Sequence, residues 1–134
     1  MTFKNSIADV TIGFGNCIPV VLQNVALSGT TNTITIPASG SFAPTLSKGY
    51  VRVHVYGGGG TSPTVALTSV TFSDGTNTVL IAGNAVANTL SATASCDFLI
   101  PFELDINATS CVIVLTLAGT SPTATADCAI GATT

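Results

Sequence analysis

His54 is the only histidine of this 134-residue chain, and it stands between Arg52 and Tyr56 in the alternating segment Tyr50–Tyr56. A histidine with such neighbours could act as a general base or as a contact that responds to pH. No acid lies near it in the sequence to orient the ring, and no serine stands in a nucleophile elbow of the form GxSxG. The segment therefore predicts a polar strand face at a surface or interface, where Tyr and Arg are enriched.

A second group of polar residues consists of acids: Asp97, Glu103 and Asp105 fall within nine residues of one another. Glu103 and Asp105 are two apart on a predicted strand, so they share a face. Paired carboxylates could serve a glycosidase or a calcium site. However, the chain has no Trp to line a sugar cleft and no DxDxDG series. We therefore predict no catalytic, cofactor-binding or metal site, and a protein that is not an enzyme. The candidate contact residues of the two segments are Tyr50, Arg52, His54, Tyr56, Glu103 and Asp105.

The cysteines and the glycine run offer no clear chemistry either. Cys17, Cys96, Cys111 and Cys128 contain no CxxC pair, and a single histidine does not complete a zinc site. We predict buried free thiols, with two disulfides as the alternative in an oxidising compartment. The run at 57–60 lacks the Lys of a phosphate-binding loop and precedes no predicted helix, so it is predicted to be a flexible hairpin tip.

The elements that must position these residues are predicted to be β-strands. Val51, Val53 and Val55 alternate with the polar residues of their segment, which is typical of a half-buried strand. Asp74 and Gly75 predict a hairpin with a type I′ tip. The predicted strands lie near 9–14, 18–27, 33–36, 50–56, 65–72, 97–106, 111–118 and 124–130. Residues 82–94 are predicted to be an extended loop or irregular strand. This pattern predicts an all-β fold over 1–134: a single-domain antiparallel β-sandwich, jelly-roll-like.

One short sequence occurs twice. Gly60-Thr-Ser-Pro-Thr64 and Gly119-Thr-Ser-Pro-Thr123 each follow a valine-rich strand, and an offset of 59 also aligns Val53 with Val112. The recurrence is either a duplicated β-unit or good turn chemistry used twice.

Charge is scarce along the whole chain. Only 7% of the residues are charged, against roughly 25% in an average soluble domain. Three scattered cations and a net charge of −3 argue against nucleic acid and anionic membranes as partners. No apolar run has the length of a spanning helix, and the N-terminal residues have no apolar core of a signal peptide. Such a surface predicts contact with other protein rather than with water.

Uncharged, threonine-rich segments such as Thr30–Pro37 and the alternating Tyr50–Tyr56 give the chain a resemblance to a protein family. It resembles the small β-sandwich decoration (cement) proteins on the heads of tailed bacteriophages, in overall style and without a diagnostic motif. The resemblance implies a virion protein made in the host cytoplasm that docks onto the major capsid protein, commonly as a homotrimer. The alternatives are a subunit of an extracellular filament or another virion part, and a carbohydrate-binding β-sandwich module. The module would need Tyr50, Tyr56 or Phe102 as an exposed aromatic platform.

Overall fold

The computed structural model describes residues 18–42, 45–82 and 86–132, and within them the chain forms β-strands and no helix. The strands are β1 (Ile18–Ser28), β2 (Thr31–Ile36), β3 (Leu46–Ser73), β4 (Thr78–Ala82), β5 (Asn88–Thr89), β6 (Cys96–Ala108) and β7 (Ser110–Ala132). The predicted all-β fold is confirmed, while the strand predicted near 9–14 and Cys17 lie outside the described residues. No helix in these ranges is long and apolar enough to cross a membrane.

Two long strands, β3 and β7, bend midway and contribute to two sheets each. In sheet I, the first half of β3 lies between β6 and the second half of β7, and β1 follows on the far side of β7. In sheet II, the second half of β3 lies between β4 and the first half of β7, and β2 follows on the far side of β7. All these pairs are antiparallel. The two-residue strand β5 adds to sheet II by pairing with Thr64 and Val65 of β3. The two sheets, each with four main strands, give the jelly-roll arrangement of a β-sandwich.

The core lies between the two sheets. Val51, Val53 and Val55 point inward from sheet I and are fully buried, as the alternation predicted. Sheet II contributes buried residues such as Ile113 from the opposite side. The rings of Phe72 and Phe102 pack against each other at a centroid distance of 4.4 Å. No polar or charged side chain in the described part is buried. The core is therefore held by apolar packing.

The recurring Gly-Thr-Ser-Pro-Thr segments form the two bends and pair with each other, Thr61 opposite Thr120. In each copy the Gly and the Ser have positive φ, and the Pro is buried. A Cβ at Gly119 would lie only 2.6 Å from the carbonyl oxygen of Thr61, so the backbones pass too closely for a side chain.

The bends show that the predicted hairpin tip at 57–60 is wrong, and they decide between the two interpretations of the repeated segment. The glycines at 57–60 do not form a hairpin tip, because β3 runs through them from one sheet into the other alongside β7. The correspondence at an offset of 59 also ends at the bend: Val53 is buried, whereas Val112 is only half-buried and points outward. The likeness between the two segments thus lies in their turn chemistry.

The hairpin between β3 and β4 is present, but its tip is not a two-residue type I′ turn. Ser73 pairs with Thr78, which leaves four residues in the loop, and Gly75 alone among them has positive φ. The Asp74 carboxylate instead accepts hydrogen bonds from the backbone N–H of Asn77 (2.6 Å) and Thr76 (2.8 Å). These bonds to the charged form lower the pKa of Asp74.

The described cysteines are free thiols, and two of the three are buried as predicted. Cys111 and Cys128 are buried and Cys96 is half-buried. Burial raises the pKa of Cys111 to about 12 and that of Cys128 to about 11. Both therefore remain protonated and unreactive at neutral pH.

Candidate functional site

The charged residues gather on one of the two outer surfaces. Of those in the described ranges, all but Asp74 project outward from sheet I, because each alternates with inward apolar residues on its strand. We call this surface the charged face; it carries Lys48, Arg52, Asp97, Glu103, Asp105 and Asp127.

The outward surface of sheet II, here called the uncharged face, carries no ionisable group among its described residues. One row of directly paired residues crosses all four strands: Thr35, Val112, Thr71 and Leu80. Leu80 is 67% exposed. The outward residues include Thr31, Thr33, Thr35, Thr68, Ser69, Thr71, Ser73, Thr78, Leu80, Val112, Val114 and Thr116.

On the charged face, strand register brings acids to both sides of His54. The residue pairs directly with Asp97 on β6 and with Asp127 on β7. Its Nδ1 lies 2.8 Å from Oδ1 of Asp97. An ionised carboxylate can only accept, so Nδ1 carries the proton and donates it. Nη2 of Arg52 lies 3.4 Å from both oxygens of Asp97.

Asp97 therefore accepts hydrogen bonds from two side chains at once. Partial burial would raise its pKa, but the hydrogen bonds from His54 and Arg52, together with their charges, outweigh this effect and lower the pKa below its ordinary value of 3.8. The site is open to water, since 49% of the Asp97 side chain is exposed, so the stabilisation it provides is screened.

A β-bulge in β1 extends the network to the fourth strand of the sheet. Two residues of β1 oppose Asp127, and Asn24, the second of them, has a φ of 55°. The N–H of Asn24 donates to Asp127 (2.8 Å), and the Tyr56 hydroxyl donates to the side-chain oxygens of Asn24 (3.1 Å) and Asp127 (3.4 Å). Burial, followed by the Asp127 charge and hydrogen bond, raises the pKa of Tyr56. The Tyr56 ring stacks on His54 at 5.3 Å.

Among the described residues, the carboxylate–imidazole pair has no reacting partner. A carboxylate that orients an imidazole is half of a hydrolytic triad, yet in the described part of the chain His54 hydrogen-bonds only to Asp97. No group of three His, Cys, Asp or Glu side chains in that part is placed to hold a metal ion. The geometry fits a polar network that ties four strands together.

The six predicted contact residues divide into two groups. Arg52, His54 and Tyr56 belong to the network, while Tyr50, Glu103 and Asp105 lie outside it on the same face. Glu103 and Asp105 share that face, as their spacing predicted. Three members of the network reach it from other strands and were not predicted from the sequence: Asn24, Asp97 as the partner of His54, and Asp127. Only strand register could have revealed them.

Tyr50 and Glu103 border a shallow cleft of about 240 Å³. The lining residues are Lys48, Gly49, Tyr50, Pro101, Phe102 and Glu103. Tyr50 is 47% exposed, whereas Phe102 is buried in the core and cannot supply an aromatic platform. Of the candidate platform residues, Tyr50 presents the most open ring.

Comparison with known proteins shows the fold alone. No protein-family model matches the chain, and no curated protein matches it. The VP2 subviral particle of infectious bursal disease virus matches with a TM-score of 0.50 and 18% identity over 89% of this chain, which spans only 33% of that one. The CBM22-1 xylan-binding domain from Paenibacillus barcinonensis Xyn10C matches with a TM-score of 0.51 and 7% identity, covering 87% of this chain and 94% of that one.

Proposed function

We propose that this chain is a structural virion protein that assembles through the uncharged face of sheet II. The observation that carries the proposal is the absence of any charge from the outward side chains described on four adjacent strands. Charged residues on exposed sheets normally prevent association. A surface without them can be covered by protein without the cost of removing charges from water.

The size of this face favours repeated contacts over a single tight one. Four strands and about five paired residues per strand give an area of about 20 Å by about 17 Å. This is well under the roughly 800 Å² per partner of a standard stable complex. A single contact through this face is therefore expected to be weak, and several copies bound side by side, as in a coat, add such contacts through effective concentration.

The finer proposal is a decoration (cement) protein that docks on the major capsid protein of a phage head and stabilises it, as a homo-oligomer such as a trimer. It would be made in the host cytoplasm, reside in the virion and have no enzymatic role. Its support is the scarcity of charge and the jelly-roll fold, which the VP2 subviral particle shares.

A carbohydrate-binding module is the second candidate, and one observation favours it. The Tyr50 ring is exposed beside a cleft on the charged face, and a xylan-binding domain shares the fold. A filament subunit is the third candidate, since the outer edges of β2 and β4 pair with no other strand in the described ranges.

Charge placed on either face tests the assembly proposal. We expect Thr71→Arg, in the middle of the uncharged face, to weaken self-association at least about tenfold, because an unpaired charge would be buried at the contact. Asp105→Arg, on the charged face, should leave association intact. Sedimentation velocity over a range of concentrations gives the association constants, and thermal melting shows that both variants fold.

Whether the protein resides in virions is tested on particles that are purified from the source organism by density-gradient centrifugation. Mass spectrometry should find the chain in them at a fixed copy number. A wild-type protein that remains a monomer at every concentration and is absent from such particles would reject the virion proposal. Loss of association in Asp105→Arg alone would move the contact to the charged face.

A further inference from the structure

The cleft on the charged face is lined by residues of β3 and β6 that pair directly with one another. Gly49 and the buried residue Phe102 are among its lining residues, and Tyr50 and Pro101 lie directly opposite each other in the ladder between β3 and β6. One register step away, Lys48 stands opposite Glu103. An aromatic ring and a proline thus face each other beside one cation and one anion.

Tyr50 differs from Tyr56, which lies on the same face of the same strand. Tyr56 is half-buried, stacked on His54 and hydrogen-bonded through its hydroxyl. Tyr50 is 47% exposed, and no described residue stacks on its ring or hydrogen-bonds its hydroxyl. With respect to the described residues, its ring and its hydroxyl are both available to a ligand.

The two charged side chains of the cleft, Lys48 and Glu103, also have no partner in the described part of the chain. Although Lys48 and Glu103 are directly opposite, they form no ion pair, and neither side chain hydrogen-bonds to any described residue. By contrast, Arg52 and His54, farther along β3, are both bound to Asp97. The cleft therefore offers ammonium donors and carboxylate acceptors with no net charge.

We infer that the ligand of this cleft is a neutral saccharide; this inference rests on the carbohydrate-binding candidate proposed above and names its ligand class. The apolar C–H face of a sugar ring can stack on Tyr50, while neighbouring hydroxyl groups, which both donate and accept, can bridge Lys48 and Glu103. An anionic ligand would be repelled by Glu103, and a cationic ligand would be repelled by Lys48. The volume of about 240 Å³ is below the about 300 Å³ at which sites for drug-sized ligands begin, so it accommodates a single ring of a longer glycan.

An open cleft with one aromatic ring binds weakly, in the millimolar range. A protein displayed in many copies can nevertheless hold a surface glycan, because linked weak sites act together. The charged face lies on the opposite side of the sandwich from the uncharged face. A subunit docked through sheet II would therefore present the cleft outward.

The test is saturation-transfer-difference NMR of the full chain with neutral oligosaccharides of xylose, glucose and galactose at millimolar concentrations. Sialyllactose and heparin disaccharide are the anionic comparisons. We expect at least one neutral sugar to give transfer. Tyr50→Ala should reduce the affinity about tenfold or more, while Tyr50→Phe, which keeps the ring, should reduce it only a few-fold.

The paired acids of β6 provide a matched control. Glu103→Gln removes a cleft carboxylate and should weaken binding several-fold, while Asp105→Asn, two residues along the same face and outside the cleft, should not. The inference is overturned if no neutral sugar gives transfer, if only anionic sugars do, or if Tyr50→Ala binds as the wild type does. None of these results bears on assembly, which the Thr71→Arg experiment tests separately.

Discussion

Sheet I and sheet II share two strands and one core, yet their outward surfaces are opposite in chemistry. On the charged face, Arg52, His54 and Tyr56 form a connected network with acids from the neighbouring strands. On the uncharged face, the same two long strands present Thr, Ser and Val. The low charge of the chain is therefore unevenly distributed. A jelly roll can keep one sheet compatible with water and leave the other ready to be covered.

The difference extends to how each face holds its side chains. The network ties β1, β7, β3 and β6 together through hydrogen bonds between side chains and to the bulged backbone at Asn24. Among the outward residues of sheet II, Thr68 and Thr116 form one hydroxyl–hydroxyl hydrogen bond. Hydrogen bonds thus fix the side chains of the network on the charged face, whereas the uncharged face is a surface of small groups that another protein can cover.

The largest expected effect comes from breaking the layer that both faces share. Val53 is fully buried between the sheets, so Val53→Asp would place an unpaired charge in the core at a cost of several kcal/mol, enough to unfold the domain. Circular dichroism and thermal melting measure this loss. Ser47→Asp, at an exposed position of the same strand, should melt like the wild type. If Val53→Asp kept its melting temperature, the valine row would not face the core.

A smaller loss of stability is expected from a substitution at the bend, where β7 passes from one sheet into the other. Gly119 has a φ of 120° and no room for a Cβ, so Gly119→Ala should lower the free energy of unfolding by about 3 kcal/mol. Gly29 also has positive φ but nothing within 4 Å of its Cβ direction, so Gly29→Ala should cost only about 1 kcal/mol. Urea denaturation compares the two variants. Equal losses would mean that the close approach at the bend contributes nothing.

The smallest effect belongs to the charged face alone. The pKa of Asp97 is lowered in the folded state, so its contribution is present above the ordinary value of 3.8 and is lost as the pH falls through the folded value. Asp97→Asn should therefore be less stable than the wild type at pH 7, by no more than about 1 kcal/mol because the site is exposed. The difference should vanish in strong acid and shrink in high salt.

Urea melts from pH 2 to pH 7 measure this difference. Asp105→Asn is the control, since Asp105 forms no ion pair or hydrogen bond with any described residue. An Asp97→Asn deficit that persists at pH 2 would show that packing, and not charge, is responsible.

The sequence was sufficient to predict which side of a single strand is buried, but it could not predict which residues of different strands lie next to each other. Strict alternation predicted that Val51, Val53 and Val55 point inward, because side chains on a strand alternate. It could not predict that Asp97 and Asp127 flank His54, since this depends on the register of strands more than 40 residues away in the chain. The glycines at 57–60 were mistaken for a tip because a bend and a hairpin use the same residue types.

The sharing of β3 and β7 by both sheets also governs how the molecule can fold. Distant segments, such as those holding Val53 and Cys128 or Phe72 and Cys111, must meet before either sheet exists. Chains dominated by such non-local pairings close their loops at an entropic cost and fold slowly, in milliseconds to seconds. Because β3 and β7 continue from one sheet into the other, we expect the two sheets to form together in one cooperative transition. The uncharged face would then be created in the step that completes the fold, and a subunit would become competent to assemble only when it is fully folded.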